Sequence, residues 1–309
     1  RQKINLPMDC RDGVCGTCKC RAEKGRYSLE FYMDESMSDE EAAQGYVLTC
    51  QMIPESDCVL SIPTTAAACK TAPGSVEAKL LAVDRLSGTS FGLRVALDRP
   101  MGFLPGQYVN VGVPGEGVHR SYSFSSAPGA SEASFLIRNL PGGVMSSYLA
   151  ERAAPGDALT LTGPMGAFYL RPITRPQVWL AGGTGLAPFL SMLEQVAEQG
   201  SDHPITLYYA VTRSADLVEL DRLAALAGRI PQLRLVTIIA AEDEPHERKG
   251  FVTDHLSAGD LAGGDCDVYL CGPPPMVDAV RSHMAALGVS PASFHFEKFN
   301  PTETELRAA

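Results

Sequence analysis

The sequence is short of positive charge, of long apolar runs, of histidine and of tryptophan. Its 26 lysines and arginines face 36 aspartates and glutamates, a formal net charge of −10 with a pI near 5.1. A protein that binds a phosphate backbone needs a basic face, so nucleic acid is excluded as a main partner. The longest apolar stretches, such as Val236–Ala241, fall far below the ~20 residues of a membrane-spanning helix. No charged-then-apolar leader opens the chain. The six histidines lack metal-ligand spacing, and His246 and His255 read as surface or cap residues. No nucleophile–base–acid triad is evident, and there is neither an internal repeat nor a low-complexity tract. The single tryptophan, Trp179, lies in an apolar run and reads as packing.

What is present is enough for two or three folded domains. The chain has 309 residues, 45% hydrophobic and 20% charged, a balance that supports proper cores and argues against overall disorder. Its nine cysteines are odd in number and clustered. Cys10, Cys15, Cys18 and Cys20 fall within eleven residues, Cys50, Cys58 and Cys69 follow, and Cys266 and Cys271 come much later. A secreted disulfide scaffold spreads its cysteines through a small chain; a tight cluster in a large acidic one points to metal binding in a reducing compartment. A cytoplasmic location is expected.

Three stretches differ in rhythm. Residues 1–69 hold the cysteine cluster. Within them Ser38-Asp39-Glu40-Glu41 forms a capping box that predicts a short helix through Ala43. The acidic run Asp34–Glu41 reads as the solvated start of that helix, with a docking face for a basic partner as the alternative. Residues 70–172 read as short strands between Gly/Pro turns: Lys79–Val83, Gly92–Leu97, Tyr108–Val113, Ser121–Ser125 and Ser134–Arg138, with one helix at Ser146–Ala153. This spacing predicts an antiparallel barrel or sandwich. Residues 173–309 carry continuous apolar runs at Val178–Ala181, Ile205–Ala210, Leu233–Ala240 and Val268–Cys271. Helical patterns at Leu186–Gln199, Leu217–Ala227, His255–Ala258 and Met276–Leu287 alternate with them. Such alternation predicts a parallel sheet covered on both faces.

The most specific motif is C-x4-C-x2-C at Cys10, Cys15 and Cys18, followed by Cys50. That is the plant-type spacing for a 2Fe–2S cluster. Gly13 and Gly16 would let the loop curl around the sulfurs. Zinc also accepts four thiolates, but commonly through paired C-x2-C arms, and only one arm is present. Cys20 reads as a spare thiol. The second motif, Arg120-Ser121-Tyr122-Ser123-Phe124-Ser125-Ser126, puts Arg120 and Tyr122 on one strand face and Ser121 and Ser123 on the other. A guanidinium beside an aromatic ring suits a flat ring system bearing a phosphate. Gly142-Gly143-Val144-Met145-Ser146 then opens a helix, an anion-binding geometry. Together these point to a dinucleotide such as FAD. The third motif, Gly182-Gly183-Thr184-Gly185-Leu186-Ala187-Pro188, joins an apolar strand to a helix, the usual cradle for a pyrophosphate. Cys271-Gly272-Pro273-Pro274-Pro275-Met276 ends what reads as the last parallel strand, and would flank the same crevice.

With the tail Phe296-Glu297-Lys298-Phe299, these motifs stand in a fixed order. In that set the chain resembles the ferredoxin–NAD(P)H reductase family that carries an N-terminal plant-type ferredoxin domain. More narrowly, it is similar to the reductase components of benzoate/toluate 1,2-dioxygenase systems. The resemblance implies a multidomain α+β protein. Its parts would be a β-grasp-like 2Fe–2S ferredoxin domain (1–69), an antiparallel β-barrel FAD domain (70–172) and an α/β parallel-sheet NAD domain (173–309). It implies cluster ligands at Cys10, Cys15, Cys18 and Cys50. Arg120, Ser121, Tyr122 and Ser123 would hold the flavin, with Ser123 near its N5, and Arg138 would touch it. Gly143, Val144, Met145 and Ser146 would bind the FAD pyrophosphate. Gly182, Gly183, Thr184, Gly185, Gly272 and Pro273 would cradle the nicotinamide dinucleotide. Cys271, Glu297 and Phe299 would surround the stacked rings, with Ser123, Cys271 and Glu297 as the catalytic set. One departure stands out: only nine residues precede Cys10, where such ferredoxin domains carry a hairpin of about thirty, so the hairpin is expected to be missing from the chain as it begins here.

The implied activity is electron transfer from NADH through FAD and the 2Fe–2S cluster to a Rieske-type terminal oxygenase, without nucleic acid or membrane as partner. Flavin is the cofactor that accepts a hydride and releases single electrons. Asp216 could accept ribose hydroxyls, favouring NADH, whereas Arg213 could meet a 2′-phosphate. The alternatives are a reductase for a diiron monooxygenase, the electron-input subunit of a quinone reductase, and a redox-sensing regulatory protein.

Overall fold

The structure is a computed structural model that describes residues 4–8, 11–14, 16–34, 36–65, 69 and 73–298. It divides into two compact units, one of residues 1–74 with 163–167 and one of residues 75–162 with 168–309.

The first unit is built from β1 (Lys19–Lys24), β2 (Tyr27–Leu29), α1 (Asp39–Ala43), β3 (Tyr46–Leu48), β4 (Met52–Pro54) and β5 (Val59–Ser61). Antiparallel pairing gives a sheet in the order β3-β1-β5 and a separate β2-β4 pair. The capping box forms as the sequence predicts. Glu41 N–H donates to Ser38 Oγ at 3.3 Å and Ser38 N–H donates to Glu41 Oε2 at 3.1 Å. Two acids of the run are held within their own unit: Glu41 pairs with Lys19 at 2.9 Å and Asp39 accepts from Tyr32 Oη at 2.9 Å. Cys18, Met37 and Leu48 form a small buried core.

In the second unit, β6 (Gly74–Arg85), β7 (Ser90–Leu97), β8 (Tyr108–Gly112), β9 (His119–Ser123), β10 (Glu132–Arg138), α2 (Val144–Glu151) and β11 (Ala158–Met165) come first. The sheet order is β10-β7-β6-β11-β8-β9. A bridge between Phe124 and Phe135 joins the two ends, so the sheet nearly closes into an antiparallel barrel. Alternate residues of each strand face inward. Leu93, Val95, Val109, Val111, Phe124, Phe135 and Leu161 are buried there.

The rest of this unit is β12 (Gln177–Gly182), α3 (Ala187–Gln199), β13 (Ile205–Val211), α4 (Leu220–Arg229), β14 (Leu233–Ile239), β15 (Asp267–Gly272), α5 (Pro274–Ala286) and β16 (Ser293–Lys298). All five strands are parallel, in the order β14-β13-β12-β15-β16. Adjacent residues serve opposite faces. Trp179, Leu207 and Tyr209 pack with Leu190 and Leu193 of α3 and Leu223 of α4, while Val178, Leu180 and Tyr208 pack with Val277, Val280 and Met284 of α5. Both faces are therefore dry, which is why these strands read as unbroken apolar runs.

Two expectations need correction. The strand ending at Gly272 is not the last, since β16 adds a fifth at the edge. No α-helix forms at 255–258. Asp254 Oδ2 accepts from Phe251 N–H and Asp260 Oδ2 from Ser257 N–H, so the segment is two side-chain-capped turns, a single 3₁₀ turn at Val252–His255 being its only helical part. Among the described residues no helix is long and apolar enough to cross a membrane.

Candidate functional site

Strand register makes the thiol site. Lys19 pairs with Leu48 across β1 and β3, so Cys18, just before β1, meets Cys50, just after β3. Their sulfurs lie 3.4 Å apart, and Thr49 N–H donates to Cys18 O at 3.2 Å. Cys10 and Cys15 lie outside the described residues. Burial, with Cys50 alongside, pushes the Cys18 thiol up to about 11, an unfavourable setting for a bare thiolate that a bound cation would reverse. Beside it the Thr49 hydroxyl is buried with no partner in hydrogen-bond geometry among the described residues, yet close enough to favour the Cys18 thiolate. This donor set of paired thiols and an orphaned hydroxyl fits an iron–sulfur cluster. Cys20, on β1 two residues past Cys18, is buried, and burial with Cys18 nearby pushes its thiol up to about 11.

Gly13 and Gly16 do have positive φ, +75° and +71°. Among the described residues, both lie close to the neighbouring loop. A Cβ on Gly13 would come within 2.4 Å of Phe31 O, and one on Gly16 within 3.2 Å of Ser36 O.

The two glycine-rich turns of the parallel sheet interlock at the carboxyl ends of β12 and β15. A Cβ on Gly185 would lie 2.2 Å from Cys271 O; one on Gly182 would lie 2.7 Å from Met276 Sδ and 3.0 Å from Pro273 Cδ. Gly272 packs 3.5 Å from Gly182 Cα by the same measure. Gly183, at φ +56°, faces open space, which leaves its backbone free to approach a ligand. Gly183–Leu186, including Thr184, form a 3₁₀ turn that leads into α3, with Pro188 in the first α-helical turn. A dinucleotide pyrophosphate fits this cradle.

On the barrel, Gly143 caps α2 without any side-chain hydrogen bond, leaving the N–H groups of Val144 and Met145 at an uncapped helix start. The Met145 side chain is buried in the barrel core. Ser146 uses its hydroxyl to hold the turn, accepting from Leu140 N–H at 2.9 Å and lying 3.3 Å from Arg138 O. What these residues offer an anion is therefore backbone. Arg138 is exposed at the strand end, and Tyr122 is half-buried against the barrel core beside half-buried Arg120. On the other face of β9, Ser121 donates to Asn110 Oδ1 at 2.6 Å, and the buried Ser123 reaches Glu297 Oε2 at 3.3 Å. This is the alternation predicted from sequence.

Glu297 sits on β16 directly opposite Cys271 on β15, which in turn is opposite Ala181 on β12. Ser123, Glu297 and Cys271 therefore converge. Cys271 is fully buried, and burial together with the Glu297 charge pushes its thiol well up; it is a neutral, packed sulfhydryl. Phe299 lies outside the described residues. Asp216 is already engaged, Oδ1 by Thr89 Oγ1 at 2.5 Å and Oδ2 by Arg213 N–H at 3.2 Å. Several tethers of this site had no local sequence signal. Asn110 holds Ser121 from the facing position on the adjacent strand, while Arg222 holds Ser125 O at 2.6 Å and Glu194 binds Arg222 at 3.1 Å across longer stretches of sequence.

Barrel, parallel sheet and thiol loop together define an oxidoreductase with sites for FAD, NAD and a 2Fe–2S cluster. Residues 1–55 match the 2Fe-2S iron-sulfur cluster binding domain, 77–169 the oxidoreductase FAD-binding domain and 179–282 the oxidoreductase NAD-binding domain. The toluate 1,2-dioxygenase electron transfer component of Pseudomonas putida is 53% identical over 302 residues, 97% of this chain and 90% of that protein. The 2-halobenzoate 1,2-dioxygenase electron transfer component of Burkholderia cepacia is 45% identical over 303 residues, 97% and 89% of the two chains. Among solved structures, the ferredoxin reductase in carbazole 1,9a-dioxygenase superposes with a TM-score of 0.70 at 28% identity, covering 96% of this chain and 90% of that one. The chain belongs to the ferredoxin–NAD(P)H reductase family with an N-terminal plant-type ferredoxin domain.

Proposed function

We propose that this protein is the NADH-dependent reductase component of a benzoate-type aromatic-ring-hydroxylating dioxygenase, working in the cytoplasm with a Rieske-type terminal oxygenase. When bound, FAD accepts hydride from NADH and the 2Fe–2S cluster passes single electrons to the oxygenase. The observation that carries the reading is the convergence of Ser123, Glu297 and Cys271, a barrel strand and two parallel strands meeting at one point.

The chain's own residues then have separate tasks. Gly182, Gly183, Thr184, Gly185, Gly272 and Pro273 give a dinucleotide a side-chain-free backbone to lie on. Val144, Met145 and Ser146 offer N–H groups to the flavin pyrophosphate at the helix start that Gly143 opens, Arg120 and Arg138 add charge, and Tyr122 and Ser121 line the ring. Ser123 holds a hydroxyl proton at the reacting edge, and Glu297 fixes the direction of that hydroxyl. Cys271 would fill volume at the nicotinamide and flavin site, to which Phe299 is also assigned. Cys10 and Cys15 complete the ligand set begun by Cys18 and Cys50. Functional boundaries at 69/70 and 172/173 separate the three tasks. The test is anaerobic: NADH should bleach the flavin band of the holoprotein and then the cluster band. Electrons should reach a purified benzoate-type oxygenase, seen as substrate-dependent turnover. A flavin band indifferent to NADH ends the reading.

A further inference from the structure

The loop after β14 carries an acid placed where a reductase for NADPH would need a phosphate site. Ala240 and Ala241 N–H donate to Val211 O and Thr212 O, both at 2.9 Å, laying that loop alongside the end of β13. Glu244 Oε1 then lies 2.8 Å from Arg213 Nη1, and Oε2 accepts from Ser214 N–H at 2.7 Å. Asp243 stands 3.7 Å from the same guanidinium. A guanidinium and a backbone amide at the mouth of a turn form a donor set for an anionic oxygen cluster. Its position is telling as well. Ala210 pairs with Gly182, so Arg213 and Ser214 follow the strand next to the glycine cradle. In sheets of this kind, that is where the adenosine ribose and its 2′ substituent are read.

We propose that the Glu244 carboxylate is a resident occupant of the 2′-phosphate position, and that by filling it the chain selects NADH over NADPH; this rests on the dinucleotide reading above. Arg213 remains 57% exposed, within reach of a ligand, but its charge is already answered. Arg213, Glu244 and Asp243 sum to one net negative charge, which repels a phosphate dianion. Hydrogen bonds from the Ser214 side chain and amide, aided by Arg213, pull the Glu244 carboxyl down to about 2, so the occupant is ionised throughout the working range of pH.

Glu244→Ala in the holoprotein empties the cradle. The ratio of kcat/KM for NADPH to that for NADH should rise at least tenfold, and the Kd for 2′-AMP should fall at least tenfold while that for 5′-AMP changes less than twofold. Glu244→Gln, which keeps the bulk, should move both in the same direction by a smaller factor, and covers the case in which the alanine variant does not fold. Adding Arg213→Ala should erase the gain. A folded, flavin-replete variant whose ratio and 2′-AMP affinity stay within twofold of wild type overturns the proposal, as does a gain that survives loss of Arg213. The 2′-AMP titration reads the cradle itself. Wild-type flavin that NADH fails to bleach instead defeats the dinucleotide reading, and this inference with it.

Discussion

Ser123 and Glu297 are 174 positions apart in sequence, yet the serine hydroxyl donates to the carboxylate at 3.3 Å. One comes from the rim of the barrel and the other from the edge strand of the parallel sheet. If Ser123 directs a hydroxyl at the reacting edge, Glu297→Gln should slow flavin reduction by about tenfold, equivalent to ~1.4 kcal/mol of barrel-to-sheet positioning. Ser123→Ala should slow it at least as much, and the double variant should add little, because the two act as a unit. Anaerobic stopped-flow bleaching with NADH measures all three; unchanged rates in both single variants would remove the pair from the mechanism.

Cys18→Ser or Cys50→Ser should lower bound iron severely, with loss of the cluster's visible and EPR signals, while bound flavin is kept. Cys20→Ala should retain iron, since it is the Cys18 sulfur that lies 3.4 Å from Cys50. Iron-to-flavin ratios on purified protein decide this. Equal losses at Cys18 and Cys20 would mean the ligand set is misassigned.

Gly185→Ala drives a methyl group to 2.2 Å from Cys271 O. Neither backbone can give way cheaply, because Cys271 is hydrogen-bonded within a central strand. The expected result is a loss of ~1–3 kcal/mol in stability with KM for NADH raised about tenfold or more. Gly183→Ala meets open space but must hold φ +56°, a strain of ~1 kcal/mol, so it should lose less stability than Gly185→Ala and act mainly on KM. Thermal melts beside steady-state kinetics distinguish the two.

His295 lies on β16 with its ring 4.7 Å from Tyr269. Burial, with Arg171 nearby, lowers its pKa from 6.5 to about 4. Between those values the unfolded chain binds a proton that the folded chain refuses. Stability is therefore whole above pH 6.5 and falls as pH drops towards 4, by at most ~3 kcal/mol. Urea melts of wild type and His295→Gln at pH 7 and pH 4.5 should show a smaller pH-dependent loss in the variant. An identical loss would show that other groups govern the acid limb.

Much of this arrangement can be read along the chain because it is local. Ser38 to Glu41 specifies a capped turn within four residues, and the dry faces of β12 to β15 leave unbroken apolar runs. The glycine turns announce themselves because only glycine tolerates the contacts at Gly182 and Gly185. The first unit was harder, since strands of three residues such as β2, β4 and β5 are too short to show a period of two. β16 does alternate, with Phe294 and Phe296 between Ser293, His295 and Glu297, but the pattern is only six residues long and every one of them is half-buried. Arg222 on Ser125 O and Glu244 on Arg213 are pairings across the fold, invisible until the chain is closed.

Trp179 is completely enclosed in β12, its ring stacked on Phe189 at 5.7 Å, and the chain has no second tryptophan. Tryptophan emission, excited at the red edge where the tyrosines barely absorb, thus originates in a single sheet. A denaturation curve followed by that emission tracks the nucleotide-binding layer and is blind to melting elsewhere. Disagreement between such a curve and the fading of flavin or cluster colour would expose the order in which the three parts come undone.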